Sequence, residues 1–232
     1  MKYRLRYSLA LLIFLAACNA DVSRQAPASA DSLVDKPVIK SMTVHNYNET
    51  VFKNGEWVPV DSIFADEHYT YDTNGRLLSM EKQEKTHNGL IHFKYNYLYR
   101  NNKFTGREVF ENSIKRSMTT VWENDSTYRE IYLDKNGKAD EEVRTVLNDA
   151  QKPVLVQFFS PGKLLSANVY RYDAEGNDLV QTGTLFTGDT TRSAFRILSK
   201  DDAGNPVKTL ETVTGIDGKI RHWLHVRNYE YY

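Results

Sequence analysis

Glycine spacing constrains this chain more than any other feature. Gly55, Gly75, Gly89, Gly137, Gly162, Gly176, Gly188, Gly204 and Gly218 nearly all sit in clusters with Asn, Asp, Lys or Pro, and many neighbours in the series lie 12 to 16 residues apart. Such clusters are turns, because Gly takes positive φ without strain while Asn and Asp hydrogen-bond their own backbone. The interval holds one strand of roughly eight to ten residues and leaves no room for a crossover helix, so consecutive strands run antiparallel. Asn101-Asn102, Asn124-Asp125 and Asn148-Asp149 supply further turns. The pattern predicts an all-β fold, an antiparallel β-meander of roughly 11 to 13 strands. That is well above the usual count of about four to six, so the sheet must curl strongly into a barrel-like form or, as the alternative, split into a two-sheet sandwich.

Side-chain alternation agrees. In His92-Phe93-Lys94-Tyr95-Asn96-Tyr97-Leu98-Tyr99 the aromatics share one parity, which makes one face aromatic and the other mostly polar. Val154 to Phe159 and Leu164 to Tyr172 are similar β-formers. The run from Ile220 to Tyr232 sets Trp223, Tyr229 and Tyr231 on one side and Leu224, Val226 and Tyr232 on the other. No segment sustains a helical period. A short helix between Asp140 and Leu147 is opposed by Val143, Thr145 and Val146, which favour a strand.

Two turns carry a finer signature, Tyr71-Asp72-Thr73-Asn74-Gly75-Arg76-Leu77 and Tyr172-Asp173-Ala174-Glu175-Gly176-Asn177. Here the chain resembles the YD repeat of the RHS family. The spacing has its own mechanism: Asp opens a type I turn and caps it, and Gly three residues later takes the left-handed conformation of a G1 bulge. Tyr132-Leu133-Asp134-Lys135-Asn136-Gly137 and Lys200-Asp201-Asp202-Ala203-Gly204 are looser copies. The resemblance touches only these turns and implies a hairpin fold, with no activity attached.

The start of the chain is organised differently. Lys2, Arg4 and Arg6 precede an uncharged apolar run from Leu9 to Ala17, the layout of a secretory signal. The run falls short of the roughly 20 apolar residues that span a bilayer. Leu15-Ala16-Ala17-Cys18 contains the single cysteine and resembles a bacterial lipobox. That resemblance implies removal of residues 1–17 and acylation of Cys18, hence a membrane anchor and a cell-envelope location, with inner versus outer membrane left open. With one cysteine, no intramolecular disulfide can form. Residues 18–37 are rich in Ala, Ser, Asp and Pro without any aromatic residue, and read as a flexible tether whose reach is on the order of 25 Å. Residues 38–232 form a single all-β domain.

Charge and motif content narrow the function classes. Loss of residues 1–17 removes three basic residues from 30 and no acidic ones, leaving 27 Lys and Arg against 30 Asp and Glu. With a net charge of −3 and no basic block, nucleic acid is not an expected partner. No nucleophile elbow, P-loop or metal-ligand spacing occurs, and no cofactor is implied. His222 and His225 are three apart, which on a strand sends them to opposite faces. Asp134-Lys135-Asn136-Gly137 lacks the ligands of a calcium loop and reads as a hairpin turn. What remains is aromatic surface: Tyr95, Tyr97, Tyr99, Trp122 and Trp223 are the candidate ligand-binding residues, with Trp57 a further exposed-type aromatic. Their structural reading is the half-buried face of a sheet. The expected role is non-enzymatic binding or assembly with an envelope protein or glycan partner. The alternatives are a carrier of lipid or another apolar ligand inside the curled sheet, and an envelope hydrolase with distributed carboxylates.

Overall fold

The computed structural model describes residues 37–60, 62–87, 89–101 and 103–232. The signal segment, Cys18 and nearly all of the tether therefore lie outside the described residues. The first strands are β1 (Ile39–Tyr47), β2 (Thr50–Lys53), β3 (Glu56–Pro59), β4 (Ala65–Tyr71), β5 (Leu77–Thr86) and β6 (Gly89–Arg100). They are followed by β7 (Lys103–Glu111), β8 (Ile114–Arg116), β9 (Met118–Asn124), β10 (Thr127–Leu133), β11 (Ala139–Leu147) and β12 (Pro153–Ser160). The series ends with β13 (Lys163–Tyr172), β14 (Asp178–Leu185), β15 (Thr190–Lys200), β16 (Pro206–Thr214) and β17 (Ile220–Tyr231).

Every pairing is antiparallel. Fifteen strands form one sheet in the order β8-β7-β6-β5-β4-β1-β17-β16-β15-β14-β13-β12-β11-β10-β9, and β2 pairs with β3 alone. The all-β meander expected from the turns is thus present, and the segment around Val143 is strand β11. The strand number exceeds the expected 11 to 13 because the run 103–124 divides at the Asn112-Ser113 turn and again at Ser117 into β7, β8 and β9, and because the short β2–β3 hairpin is inserted between β1 and β4.

The strand order explains the curl. β1 pairs with β17, so the two ends of the domain meet inside the sheet. The sheet's edges, β8 and β9, are successive in the chain: β8 pairs with β7 and β9 with β10. The sheet is therefore a nearly closed barrel whose seam runs beside the segment 114–124. At that seam a Cβ built on Gly106 of β7 would stand 2.6 Å from Thr120 Oγ1 of β9, a measure of how closely the two edges approach.

The turns do what their sequence predicts. Asp72 Oδ1 accepts from the backbone N–H of Asn74 and Arg76, Asp134 Oδ1 from Asn136 and Lys138, and Asp173 Oδ1 from Glu175 and Asn177. Gly75, Gly137 and Gly176 each follow at positive φ, and each hairpin carries a register shift beside its turn. A further turn of this build hides at Asn148, whose Oδ1 accepts from Lys152 N–H, with Gln151 at φ 58 in the glycine position. Gln151→Gly should therefore raise stability by about 0.5–1 kcal/mol, because the left-handed conformation penalises a side chain; urea unfolding measures it. Tyrosines brace the same end of the barrel. Tyr99, Tyr172 and Tyr229 donate their hydroxyls to the carbonyls of Leu77, Pro153 and Pro206, at 2.9, 2.6 and 2.9 Å.

Inward positions form two packed clusters. One joins Met42, Val44, Tyr69, Tyr71, Leu77, Met80 and Tyr97 across β1, β4, β5 and β6. The other joins Val109 of β7 to Tyr132, Val143, Val156 and Tyr170 of β10 to β13, bridging the seam through the inside.

Candidate functional site

The structure brings four of the five candidate aromatic residues together on the inner wall beside the seam. Tyr95, Tyr97 and Tyr99 share the inward face of β6, as their common parity requires. The ring of Phe104 lies 6.2 Å from Tyr97, 6.1 Å from Tyr99, 6.3 Å from Trp122 and 5.5 Å from Tyr128, and Trp122 and Tyr128 are 5.0 Å apart. Arg107 crosses this array. Its Nε and Nη2 donate to Glu130 Oε1 and Oε2 at 2.7 and 2.8 Å, and its guanidinium lies 4.9 Å from the Tyr95 ring centre. Glu130 is 1% exposed. Burial by itself would lower the Arg107 pKa, and the adjacent Glu130 carboxylate together with the Tyr132, Tyr97 and Tyr128 phenols more than reverses that, so the cation persists. Burial pushes the Tyr97 phenol up and the Tyr99 phenol up to about 12. Tyr97 and Tyr128 are each 6% exposed and contact neighbouring rings rather than solvent, while Tyr95, Tyr99, Phe104 and Trp122 are half-buried.

Trp223 sits apart, opposite Glu211 in the β16–β17 ladder. Nearby, the inward-facing His225 is held on both sides: its Nδ1 meets Asn46 Oδ1 at 2.6 Å and its Nε2 meets Glu211 Oε2 at 2.8 Å. A catalytic histidine needs one ring nitrogen turned to a nucleophile or substrate. Here both are engaged, by an amide and a carboxylate. His222, three residues away, faces outward as the spacing predicts. Among the described residues no cluster of three or more His, Cys, Asp or Glu side chains could hold a metal ion.

Asp178 completes the inner polar group. Burial pushes its carboxyl up to about 6, with Arg227 and Lys152 pulling partly back. A carboxyl whose folded pKa exceeds its unfolded value binds extra protons in the native state, so stability is lost as pH rises between about 4 and 6. Asp178→Asn should remove that loss, with a gain on the order of 3 kcal/mol above pH 6 and none near pH 4. Urea unfolding across this pH range checks it.

The outer surface has a different character. Along β5 to β11 several of its cations meet carboxylates: Lys94 with Glu81 at 2.7 Å, Lys115 with Glu108 at 2.5 Å, and Arg129 and Arg144 with Glu123 at 2.9 and 3.1 Å. On the other side the β2–β3 hairpin lies against the sheet. Thr50 Oγ1 donates to the His222 carbonyl at 2.9 Å, and the Trp57 ring centre is 4.5 Å from that of His222. The hairpin covers Leu210 and Leu224, which point outward yet are 3% and 1% exposed. It leaves an open recess of about 330 Å³ lined by Trp57, Ala194, Arg196, Leu210, Thr212 and His222. Sequence reasoning named Trp57 without placing it, since the recess exists only once the inserted hairpin packs on strands about 150 residues away.

Fold and site together define a class: an all-β, nearly closed antiparallel meander with an ion-paired interior and a shallow aromatic recess outside. No family model matches the chain, and no curated protein is similar to it. Among solved structures it is similar to a porin-like protein from Bacteroides uniformis ATCC 8492, with 11% identity and a TM-score of 0.44, over 84% of this chain and 96% of that one.

Proposed function

We propose that this is a lipid-anchored cell-envelope protein whose role is to bind a protein or glycan partner at its surface, without catalysing a reaction. One observation carries the reading: the inner wall is occupied by packed and charged side chains, and the outer wall is charged as well. Met80, Val156 and Glu130 are at most 1% exposed, and Glu67, Lys82 and Glu211 are buried on the same inner face. An apolar ligand would have to share that space with ionised groups, which weighs against the carrier alternative. Lys94, Glu81, Arg129, Arg144 and Glu123 on the outer wall would each face hydrocarbon if the strands crossed a bilayer, at about 2–4 kcal/mol per cation near the midplane. This supports attachment through Cys18 and presentation of the outer surface to a partner. The engagement of both His225 nitrogens supports binding over hydrolysis.

Metabolic labelling with palmitate, followed by in-cell crosslinking, tests the proposal. Wild type should take up label and retain a recurrent envelope partner, and Cys18→Ala should lose both. Equal labelling of the two would overturn the anchor. Stoichiometric lipid extracted from the purified protein would overturn surface binding in favour of a carrier.

A further inference from the structure

We propose that the recess beside Trp57 and the basic outer face of β13 to β16 form one binding site for an acidic glycan. The indole receives a sugar ring and the arginines receive its carboxylates. The inference rests on the surface-binding reading and narrows the partner to a saccharide with repeated negative charge.

Three observations converge. The first is topological. Nearly all connections in this meander are tight turns of a few residues, but β1 and β4 are joined by residues 48–64, which build the β2–β3 hairpin outside the barrel. A long connection with its own structure is where function concentrates. This one places Trp57 over the outer ends of Thr212 and His222, with Thr212 Oγ1 3.3 Å from His222 Nδ1.

The second is electrostatic. By register and alternation, the outward residues of β13 to β16 include Arg171, Arg192, Arg196 and Lys208, and no carboxylate takes an outward position there. Among the described residues none of these four cations has an ion-pair partner. On β5 to β11 the outward Lys94, Lys115, Arg129 and Arg144 each meet a carboxylate, while among the described residues the exposed Lys85 and Arg100 have no ion pair. The strand carboxylates of β13 to β16, Asp178 and Glu211, face inward, so this wall presents cations without acids, and it carries the recess. Unpaired guanidinium groups on a rigid sheet suit carboxylates, which they can grip with two parallel hydrogen bonds.

The third is spacing. Arg192 and Arg196 are four residues apart on one strand and share a face, so their origins are about 13 Å apart. Arg171, Val180, Ala194, Thr212 and His222 lie in one register row, which puts Arg171 two strands from Ala194, or about 10 Å. Charges spread on this scale around an aromatic platform fit a polymer with a negative charge on successive units. Outward Thr182, Thr212 and Thr214 between them offer hydroxyl partners to sugar hydroxyls. Trp stacking plus hydroxyl contacts favours a saccharide over an acidic peptide.

Titration calorimetry of the full chain carrying Cys18→Ala, which cannot be acylated, with a short oligouronate tests this, with a neutral glucose oligomer and phosphatidylglycerol vesicles as comparisons. The oligouronate should bind with an affinity that falls as salt rises, and the neutral oligomer and the vesicles should not. Trp57→Ala should weaken binding about tenfold or more, and Trp57→Phe should retain most of it. The double variant Arg192→Gln/Arg196→Gln should weaken binding about tenfold and reduce its salt dependence, with an unchanged melting temperature, since both side chains are exposed. No oligouronate binding, equal binding of the neutral oligomer, vesicle binding without saccharide binding, or wild-type affinity in the arginine variant would each overturn the inference. If crosslinking recovers a protein partner while the oligouronate fails to bind, the glycan site falls and the surface-binding function stands.

Discussion

Replacing Glu130 with Ala is expected to cost about 3–5 kcal/mol of folding stability, a large share of the roughly 5–15 kcal/mol that holds a domain together. The cost does not come from losing an attractive pair in water. It comes from leaving the Arg107 guanidinium enclosed with no anion, against the Tyr95 ring and under the aromatic group around Phe104. The same reasoning predicts a strong non-additivity. Arg107→Met combined with Glu130→Met removes both charges and leaves apolar side chains of similar length, and should cost about 1–2 kcal/mol or less. Urea unfolding of the two single variants and the double variant measures the coupling. A loss below about 1 kcal/mol in Glu130→Ala would show that water reaches the pair and screens it. Because Arg107 belongs to β7 and Glu130 to β10, the pair spans the seam from inside, so its loss should also open β8 and β9 first in hydrogen exchange.

The division between what local chemistry dictates and what only the closed fold dictates is sharp in this molecule. Asp72, Asp134 and Asp173 write their turns directly, because an aspartate two to four residues ahead of free N–H groups caps them and a glycine supplies the positive φ. The turn at Asn148 uses the same hydrogen bonds but is less legible, since Gln151 stands where a glycine would mark it. Parity likewise places Tyr95, Tyr97 and Tyr99 on one face and separates His222 from His225. It does not tell which face is inward, and therefore not that the tyrosines meet Trp122 while Trp223 stays apart. That grouping depends on closure between β7 and β9, which no local pattern encodes. The unpaired arginines are hidden for a related reason. In sequence they are interspersed with acids at ordinary density, and only alternation and register sort the acids of β14 to β16 to the inside, where Asp178 and Glu211 lie.

Gly106→Val should produce the second large effect, about 2–4 kcal/mol, at a position that lies in no turn. Gly106 sits within β7 at φ 151, and a Cβ there would stand 2.6 Å from Thr120 Oγ1 and 3.0 Å from Thr120 Cβ. Two costs combine: overpacking, typically about 1–3 kcal/mol, and a backbone conformation that side chains rarely adopt, about 1 kcal/mol or more. They can be separated, because the steric part depends on Thr120 and the backbone part does not. Gly106→Ala should be milder than Gly106→Val. Adding Thr120→Gly should recover the steric share and leave the backbone share in place. Full recovery would assign the whole cost to contact at the seam. No recovery would assign it to the β7 backbone, and the approach of β9 would then be a consequence of curl and not a constraint on it. The expected partial recovery means that the barrel closes because β7 presents a glycine where β9 passes, while strand β8 remains too short to cover that stretch of edge.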